Sequence, residues 1–386
     1  MQYRPFGKLD YQVSALGFGC MRLPTLDANN KIDEPEAIRM VRHAIDQGVN
    51  YIDTAYPYHG GESERLVAKV LKDGYRDRVK LATKLPVWEV KEPADFDRLL
   101  NEQLAKLEVE TIDFYLLHAL NADSWHKVRD MDVLAWAEGA LADGRIQHLG
   151  FSFHDKHEVF IEIVDAYDKW DFCQIQYNYM DIEEQAGTKG LEYAASKGLA
   201  IVIMEPLLGG KLVNAPQPVQ DLWSTAPVKR SPVGWALQWL WSNPHVSTIL
   251  SGMSTMEQVE DNLVHADQSS VGLLTEPEYE VVAKVADLYR TLSPIPCTDC
   301  KYCMPCPNDV DIPRNFAVFN SGVMYDSVED ARRGYEWIKE EARASSCIQC
   351  GICEEKCPQS IPISDWMPLV DEVLGQGQDY DPTRNP

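Results

Sequence analysis

The sequence lacks any apolar run of the roughly 20 residues that a membrane-spanning helix needs. Its first residues, Met1–Asp10, also lack the apolar core of a signal peptide. Basic residues are few, because 36 Lys and Arg stand against 60 Asp and Glu and give a formal net charge of −24. Such a charge counts against binding to nucleic acid or to an anionic membrane. We expect an acidic protein of the cytoplasm that binds neither.

Cysteine is scarce outside one region of the chain. Eight of the ten cysteines fall in two short ladders near the C-terminus, and the others are Cys20 and Cys173. A secretory disulfide framework spreads its cysteines along the chain, whereas tight clusters are typical of metal ligands in a reducing compartment. We therefore expect metal centres near the C-terminus, and we interpret Cys20 and Cys173 as buried strand residues.

A G-x-G-x-x-G motif is missing from the first strand–helix turn, where an open doubly wound sheet usually binds its dinucleotide. What the chain does contain, up to about residue 251, is an alternation of short apolar runs with amphipathic stretches. The apolar runs, predicted as strands, are Ser14–Gly19, Asn50–Asp53, Val79–Thr83, Ile112–Leu117, Ile146–Phe151, Phe172–Gln176, Ala200–Met204 and Val246–Ser251. The amphipathic stretches, predicted as helices, are Glu36–Gln47, Glu64–Leu71, Asp95–Leu107, Met131–Asp143, Lys156–Tyr167, Lys189–Lys197 and Pro232–Trp241.

This alternation, with strands that are almost continuously apolar, predicts a parallel sheet covered by helices. Eight strands favour a closed (β/α)8 barrel, the TIM barrel, over an open sheet. The segment Gln2–Tyr11 is predicted to form a small hairpin that closes the barrel floor, with its turn at Gly7-Lys8. One more helix is expected after Pro277, running to about Arg290. The predicted fold class is α/β.

Four chemically active side chains follow consecutive predicted strands. Asp53, Lys84 and His118 end the second, third and fourth strands, and Tyr58 lies in the loop after Asp53. The C-terminal ends of barrel strands converge on one mouth, so we expect these residues to meet. A lysine ammonium favours the phenolate and is expected to lower the pKa of Tyr58 from about 10. The aspartate would orient the lysine, and the histidine would hold a carbonyl oxygen near the phenol.

Each of the four also has a purely structural interpretation. Asp53 with the threonine after it is a common cap at the start of a helix. A lysine at a strand end is commonly solvated, and His118 lies in an apolar run where a core histidine fits. Their occurrence together at consecutive strand ends favours the proton-transfer interpretation.

The motifs around these residues resemble those of the aldo/keto reductase superfamily, NAD(P)H-dependent barrel enzymes, over roughly residues 3–262. The matching segments are Asp53-Thr54-Ala55 with Tyr58, Gly61-Glu62-Ser63-Glu64, Ala82-Thr83-Lys84 and Leu116-Leu117-His118. The resemblance implies hydride transfer between C4 of a nicotinamide and a carbonyl or alcohol carbon. It implies that Tyr58 gives the proton, that Lys84 and Asp53 tune Tyr58, and that His118 orients the substrate.

The same resemblance implies a set of cofactor contacts. Ser152 and Gln174 would hold the nicotinamide carboxamide, although Phe153 stands where the family usually has asparagine. Met204 takes the place of an aromatic ring that many members stack on the nicotinamide. The other implied contacts lie in the loop after the seventh strand, in the segment after the eighth strand and at the start of the last barrel helix: Met204, Glu205, Leu207, Gly252, Met253, Gln258, Asp261 and Asn262.

The form of the coenzyme depends on the charge around its adenosine ribose. Family members that prefer NADP(H) place a lysine and an arginine around the 2′-phosphate. The corresponding segment here, Ser251–Gln258, has no cation and contains Glu257. A phosphate without a charged partner loses much of its binding energy, so we expect NAD(H) in preference to NADP(H).

Two further residues near the predicted mouth are candidates for substrate binding. Arg22 follows the first strand and would bind a substrate carboxylate, while Trp88, just beyond Lys84, would wall the pocket. The alternatives are a surface salt bridge for Arg22 and a packed indole for Trp88.

The cysteine ladders have the spacing of iron–sulfur ligands. The second ladder, C-x2-C-x2-C-x3-C-P, matches the bacterial ferredoxin run, whose fourth cysteine binds the other cluster. A zinc site is the alternative, but zinc sites normally use two spaced pairs. The two [4Fe–4S] clusters predicted with crossed ligands are held by Cys297, Cys300, Cys303 and Cys357, and by Cys306, Cys347, Cys350 and Cys353.

This end of the chain resembles the ferredoxin-type extension of one prokaryotic branch of the aldo/keto reductases. The first ladder departs from the ferredoxin run because only two residues precede its fourth cysteine. We predict three parts: residues 1–290 as the barrel, residues 291–373 as a small α-helical ferredoxin-like domain and residues 374–386 as a loose polar tail.

Two functional hypotheses follow. In the first, the protein is an oxidoreductase that acts on a small carbonyl or alcohol and is coupled, or can be coupled, to iron–sulfur electron transfer. Nicotinamide passes two electrons together and each cluster takes one, and no flavin motif is present, so a redox partner protein is one way to bridge the mismatch. In the second, a nucleotide-binding barrel serves as a non-catalytic redox sensor or electron-transfer subunit.

Overall fold

The structure is a computed structural model that describes residues 1–26 and 31–386. Contacts within the chain divide it into two compact units. The first contains residues 1–209 and 233–275, and the second contains residues 210–232 and 276–386.

The chain begins with an antiparallel hairpin of β1 (Tyr3–Phe6) and β2 (Leu9–Ser14), with Gly7 and Lys8 between the strands. Gly7 has a φ of 56° and packs against the backbone at Ala200, where a larger side chain would collide. The fully buried ring of Phe6 contacts the rings of Tyr51, Phe114 and Phe172. These rings belong to the N-terminal parts of later strands, so the hairpin closes the floor of the sheet as predicted.

A closed barrel of parallel strands forms the centre of the first unit. Its strands are β3 (Leu16–Gly19), β4 (Tyr51–Asp53), β5 (Lys80–Leu85), β6 (Ile112–Leu120), β7 (Ile146–Phe153), β8 (Phe172–Gln176), β9 (Ala200–Met204) and β10 (Val246–Gly252). Neighbours pair in sequence order, and β10 pairs with both β3 and β9 to close the ring. The predicted (β/α)8 barrel is therefore confirmed.

Helices follow the strands, and the apolar faces of the first seven helices, the ninth and the tenth join the core of the barrel. In chain order the helices are α1 (Glu34–Asp46), α2 (Ser63–Val70), α3 (Ala94–Leu107), α4 (Ala122–Arg129), α5 (Val133–Ala142), α6 (His157–Asp165), α7 (Gly187–Ser196), α8 (Gln217–Trp223), α9 (Pro232–Ser242), α10 (Met256–Asp267), α11 (Glu276–Thr291), α12 (Ile312–Met324), α13 (Val328–Glu336) and α14 (Ile363–Leu374). The predicted helix Met131–Asp143 begins only at Val133, because Asp132 has a left-handed φ of 59°.

The second unit contains α8 and α11–α14. Its core joins the aromatic faces of α12 and α14, where the rings of Phe319 and Trp366 lie 5.9 Å apart. The segment predicted to be loose after residue 373 is in contact with this core, because Tyr380 packs edge-on against Phe319 and Arg384 bonds to Glu372 at 2.5 Å. These contacts involve two side chains of the tail, and a loose polar tail over residues 374–386 stays a prediction.

The compact units do not coincide with the predicted division near residue 290. Residues 210–232 and α11 belong to the second unit. The predicted division into three parts therefore stays a prediction, with its bounds at residues 1–290, 291–373 and 374–386. Across the described ranges of the chain, no helix combines the length and the apolar character needed to cross a membrane.

Candidate functional site

The ends of β4 and β5 bring Asp53 and Lys84 together. Lys84 Nζ donates to Asp53 Oδ1 at 2.6 Å and to the backbone oxygen of Thr54 at 2.8 Å. Lys84 is fully buried and Asp53 almost so. The same Nζ lies 5.1 Å from the centre of the Tyr58 ring, which is presented by the loop after β4. Asp53, Tyr58 and Lys84 therefore form one cluster, as the sequence predicted.

Tyr58 is the acidic group of this cluster. Burial raises the pKa of Tyr58, and Lys84 opposes that shift through its charge and a hydrogen bond without overcoming it. The prediction that Lys84 brings the pKa of Tyr58 below its ordinary value is wrong for the net shift. The reason is that the unfavourable free energy of removing a phenolate from water is larger than the stabilisation that the nearby ammonium gives it. Tyr58 is a neutral phenol at pH 7 and holds a proton that it can donate.

Lys84 stays charged beside that phenol. Burial lowers the pKa of Lys84, but Asp53 and Tyr58 outweigh burial, so the net shift is upward. Burial raises the pKa of Asp53, and Lys84 acts against it. The ammonium is thus kept protonated where a phenolate would form, and Asp53 is the group that keeps it so.

His118, near the end of β6, lies beside this cluster. The centre of its ring is 6.3 Å from that of Tyr58 and 5.0 Å from that of Trp88. Burial lowers the pKa of His118 well below its usual value, and the charge of Lys84 acts in the same direction, so the imidazole is neutral. Its Nδ1 is buried and has no hydrogen-bond partner within the described chain. A neutral ring with an unused nitrogen is available to a bound molecule.

Ser152 and Gln174 are register partners on β7 and β8. Ser152 Oγ accepts from the amide of Ala119 at 2.7 Å and keeps its own proton for donation. Gln174 Nε2 contacts Met204 Sδ at 3.5 Å, while Gln174 Oε1 is buried without a partner among the described residues. A primary amide needs both a donor and an acceptor, so these side chains fit the carboxamide of a nicotinamide.

Phe153 stands beside Ser152 but faces the other way. Its side chain is fully buried, and its ring packs edge-on at 5.2 Å against Phe160 of α6. Successive residues of a strand point to opposite faces, so Phe153 belongs to the layer between strand and helix. Phe153 therefore does not replace the hydrogen bond that an asparagine at this position would make to the cofactor.

The loop after β9 holds the other residues predicted around the nicotinamide. Met204 and Leu207 are half-buried, and Glu205 is exposed with a left-handed φ of 54°. The backbone oxygen of Glu205 accepts a bond from Asn178 at 3.3 Å, which ties this loop to the residues after β8.

The segment after β10 contains the remaining predicted cofactor residues. Met253 is buried, while Gly252, Gln258 and Asp261 are exposed. Gln258 Oε1 accepts from the amide of Ser254 at 2.7 Å, which shapes the loop before α10. Asn262 is buried and donates to Ser251 Oγ at 2.8 Å, so its side chain ties α10 to β10.

Arg22 lies against this same segment. Its backbone oxygen accepts a bond from Ser254 Oγ at 2.7 Å, and a side chain at Gly252 would collide with the Cγ of Arg22. The structure therefore places the backbone and the Cγ of Arg22 next to a segment that has no cation of its own. Sequence reasoning missed this neighbour because Arg22 comes from the opposite end of the barrel sequence, and only closure of β10 on β3 joins them.

The ladder cysteines surround two cavities in the second unit. Cys297, Cys300, Cys303 and Cys357 line one cavity. Cys306, Cys347, Cys350 and Cys353 line the other. Within the described ranges, no three His, Cys, Asp or Glu side chains converge on a position for a single metal ion. Four cysteines at one cavity match the number of protein ligands that a [4Fe–4S] cube takes.

The two ladders repeat one backbone pattern. The residues on either side of the second cysteine are left-handed in both: Asp299 and Lys301 in the first ladder, and Gln349 and Gly351 in the second. In each ladder, the third residue after the last cysteine is also left-handed and bonds back to the oxygen of that cysteine. Each ladder is then followed by a helix, α12 or α14. The two ladders therefore share one repeated backbone arrangement.

Comparison with known proteins agrees with this geometry. The model of the aldo/keto reductase family matches residues 15–276, and a 4Fe-4S dicluster domain matches residues 296–361. L-galactose dehydrogenase of Arabidopsis thaliana is 25% identical over 73% of this chain and 94% of its own length. The 6-dehydroglucose reductase of Novosphingobium aromaticivorans is 29% identical over 57% of this chain and 73% of its own length.

Solved structures include similar barrels. The holo form of an aldo-keto reductase from Bacillus halodurans is 27% identical and superposes with a TM-score of 0.62. The match covers 74% of this chain and 96% of that one.

Proposed function

Because this chain belongs to the aldo/keto reductase family, we propose that it transfers hydride between a nicotinamide coenzyme and a carbonyl or alcohol carbon, with Tyr58 as the proton donor. The observation that carries the proposal is the buried cluster in which Lys84 Nζ bonds to Asp53 and lies over the Tyr58 ring. Ser152 and Gln174 would hold the carboxamide of a nicotinamide, which when bound would supply the hydride chemistry.

The residues of the chain handle the proton. In the direction of reduction, the substrate carbonyl oxygen accepts hydrogen bonds from Tyr58 and neutral His118. As hydride reaches the carbon, that oxygen becomes an alkoxide and takes the proton of Tyr58. The phenolate left on Tyr58 is stabilised by the Lys84 ammonium, which Asp53 keeps charged, and it regains a proton from water.

For the substrate, we propose a sugar-derived carbonyl or alcohol. Both named relatives, an L-galactose dehydrogenase and a 6-dehydroglucose reductase, carry sugar names. Trp88 is 45% exposed and its indole lies 5.0 Å from the His118 ring, so it offers an apolar face beside the reacting position. Sugar rings present C–H edges that pack against such a face. Arg22 lies on the β10 side, beside the predicted cofactor segment, and a contact with a substrate carboxylate stays a prediction.

For the coenzyme, we propose NAD(H). The segment Ser251–Gln258 has no cation of its own, and Glu257 on it is exposed. Arg22 is a cation at its edge, so any use of NADPH would depend on that one side chain.

For the second unit, we propose two [4Fe–4S] clusters with crossed ligands, one in each cavity. Cys357 would complete the set of Cys297, Cys300 and Cys303, and Cys306 would complete the set of the second ladder. Each cluster carries one electron, so we further propose exchange with a redox partner protein.

The test of the barrel chemistry is NADH and NADPH oxidation against a panel of aldoses, lactones and simple aldehydes under anaerobic conditions. The Tyr58→Phe variant is expected to lose about 10²- to 10⁴-fold in kcat, because it removes the proton donor. Tyr56→Phe is the matched control, since Tyr56 bonds to Glu102 at 3.1 Å, away from Asp53 and Lys84. Equal turnover of Tyr58→Phe and the parent chain would refute the role of Tyr58.

The test of the second unit is metal analysis and visible spectroscopy of anaerobically purified protein. Two cubes predict brown protein with about eight iron atoms per chain. Colourless protein containing zinc would overturn the assignment. Bleaching of the cluster absorption by NADH would show that the clusters exchange electrons with the barrel. Bleaching by a one-electron donor but not by NADH would indicate exchange with a partner protein instead.

A further inference from the structure

Glu64 lies in the first turn of α2 and is completely buried behind β5. Its Oε1 accepts two hydrogen bonds, one from Thr83 Oγ1 at 2.7 Å and one from Gln103 Nε2 at 2.6 Å. Its Oε2 has no hydrogen-bond partner within the described chain, and Lys106 Nζ is 4.0 Å away. A buried carboxyl group needs a structural or functional reason, because its desolvation is unfavourable.

The bonds of Glu64 lead to the backbone of Lys84. Thr83 precedes Lys84 on β5, and Gln103 Nε2 also donates to the backbone oxygen of Lys84 at 3.0 Å. Gln103 is fixed in turn, because its Oε1 accepts from the hydroxyl of Tyr115 at 2.7 Å. Glu64 therefore holds the strand at Lys84 through a neighbouring side chain and through the carbonyl of Lys84 itself.

The residue before Glu64 acts on the other end of the lysine. Ser63 Oγ is 2.9 Å from Thr54 Oγ1, and both side chains are buried. The backbone oxygen of Thr54 is the second acceptor of Lys84 Nζ, at 2.8 Å. One helical turn thus fixes the backbone of Lys84 through Glu64 and an acceptor of its ammonium through Ser63.

We propose that Ser63 and Glu64 are positioning residues that set the distance between the Lys84 ammonium and Tyr58. Neither residue needs to touch the substrate or the coenzyme, because both act through Lys84. The inference rests on the proposed roles of Tyr58 and Lys84 and adds the part of the structure that holds them in place.

The physical consequence is a change in the acidity of Tyr58. The Lys84 ammonium lowers the pKa of Tyr58 against the effect of burial, and this attraction falls with distance. Loosening Lys84 therefore raises the pKa of Tyr58 further and weakens the stabilisation of its phenolate. A displacement of about 1 Å in an active site can reduce turnover by about 10²-fold.

Three variants separate positioning from general stability. Glu64→Leu removes both acceptor oxygens and puts an apolar side chain of similar size in their place. Glu64→Gln keeps Oε1 as the acceptor for Thr83 and Gln103, and replaces Oε2, which has no hydrogen-bond partner within the described chain and lies 4.0 Å from Lys106 Nζ. Glu62→Leu is the control, because Glu62 is exposed beside the same helix and pairs only at 3.7 Å with Arg65.

The readout is the pKa of Tyr58 in the holoprotein, from phenolate absorption near 295 nm as pH is raised. Subtracting the titration of the same variant with Tyr58→Phe isolates this tyrosine from the others. Glu64→Leu is expected to raise the pKa of Tyr58 by about one unit and to lower kcat for 4-nitrobenzaldehyde by at least about tenfold with little change in the KM for coenzyme. Glu64→Gln and Glu62→Leu are expected to match the parent chain.

The titration needs no turnover, so it distinguishes this inference from the proposed function. A raised Tyr58 pKa without carbonyl reduction in any variant supports positioning and counts against the proposed reaction. An unchanged Tyr58 pKa in folded Glu64→Leu overturns the inference, whatever its stability. If Glu64→Leu does not fold, Ser63→Ala takes its place, and an unchanged Tyr58 pKa in that variant likewise overturns the inference.

Discussion

The Lys84 ammonium and the Asp53 carboxylate lie 2.6 Å apart in a region that water does not reach. Removing one partner of such a pair leaves the other charge buried and uncompensated, which is far less favourable than losing an exposed ion pair. This relationship couples the stability of the barrel to the residues proposed for its chemistry.

The first prediction concerns stability. Lys84→Met is expected to lower the free energy of unfolding by about 3–5 kcal/mol, because Asp53 is left buried without its cation. Lys69→Met is the matched comparison: Lys69 pairs with Glu34 at 2.5 Å, but both side chains are about half exposed. Lys69→Met is expected to lower the free energy of unfolding by only about 0–1 kcal/mol. Urea unfolding followed by tryptophan fluorescence measures both, and equal losses would contradict the importance of the buried pair.

The second prediction concerns pH. Reduction needs protonated Tyr58, and burial raises the pKa of that group, so kcat for reduction is expected to fall only at strongly alkaline pH. Oxidation needs the phenolate and is expected to rise with pH through the same pKa. No break is expected near pH 6.5, because burial and Lys84 keep the pKa of His118 well below its usual value. A reduction profile with a midpoint near neutrality would contradict this assignment.

The third prediction concerns the coenzyme. Arg22→Gln is expected to raise the KM for NADPH by about tenfold or more and to change the KM for NADH much less, because a 2′-phosphate loses its charged partner. Arg65→Gln, which removes an exposed cation on α2, is the control. Equal effects of Arg22→Gln on both coenzymes would place Arg22 away from the 2′-phosphate.

The fourth prediction concerns the crossed ligands. A chain with serine at Cys306, Cys347, Cys350 and Cys353 keeps every cysteine of the first cavity and is expected to retain about four iron atoms. A chain with serine at Cys347, Cys350, Cys353 and Cys357 keeps only three cysteines there and is expected to hold less iron. If the second chain were the more stable carrier of a four-iron cluster, each ladder would bind its own cube.

Much of this arrangement was predictable because it rests on local patterns. The apolar runs located all eight barrel strands, and the rule that strand ends converge brought Asp53 and Lys84 together without any distance information. The ladder spacing likewise predicted which cysteines share a cavity. In these cases residue type and spacing are enough to predict which residues lie together, and tertiary contacts reinforce the same arrangement.

Other features depend on tertiary contacts that no local pattern contains. The net pKa shift of Tyr58 is set by its burial, whereas the sequence showed only the charge expected beside it. Arg22 meets Gly252 only because β10 closes on β3. The buried link from Glu64 to Gln103 joins α2, α3 and β5, and a glutamate in a first helical turn otherwise resembles an ordinary dipole partner.

If the cysteines cross between the ladders as proposed, the two clusters would be cross-links in addition to any electron transfer they perform. Each proposed cube would link the chain before α12 to the chain after α13. The segment between them, which contains both helices, would then be a loop closed by two cross-links. Closing a loop in this way restricts the unfolded chain and adds stability that disappears with the iron. Oxygen that destroys both clusters would therefore remove both cross-links from the second unit, and the two pieces of a chain cut between α12 and α13 would stay linked through iron until that happened.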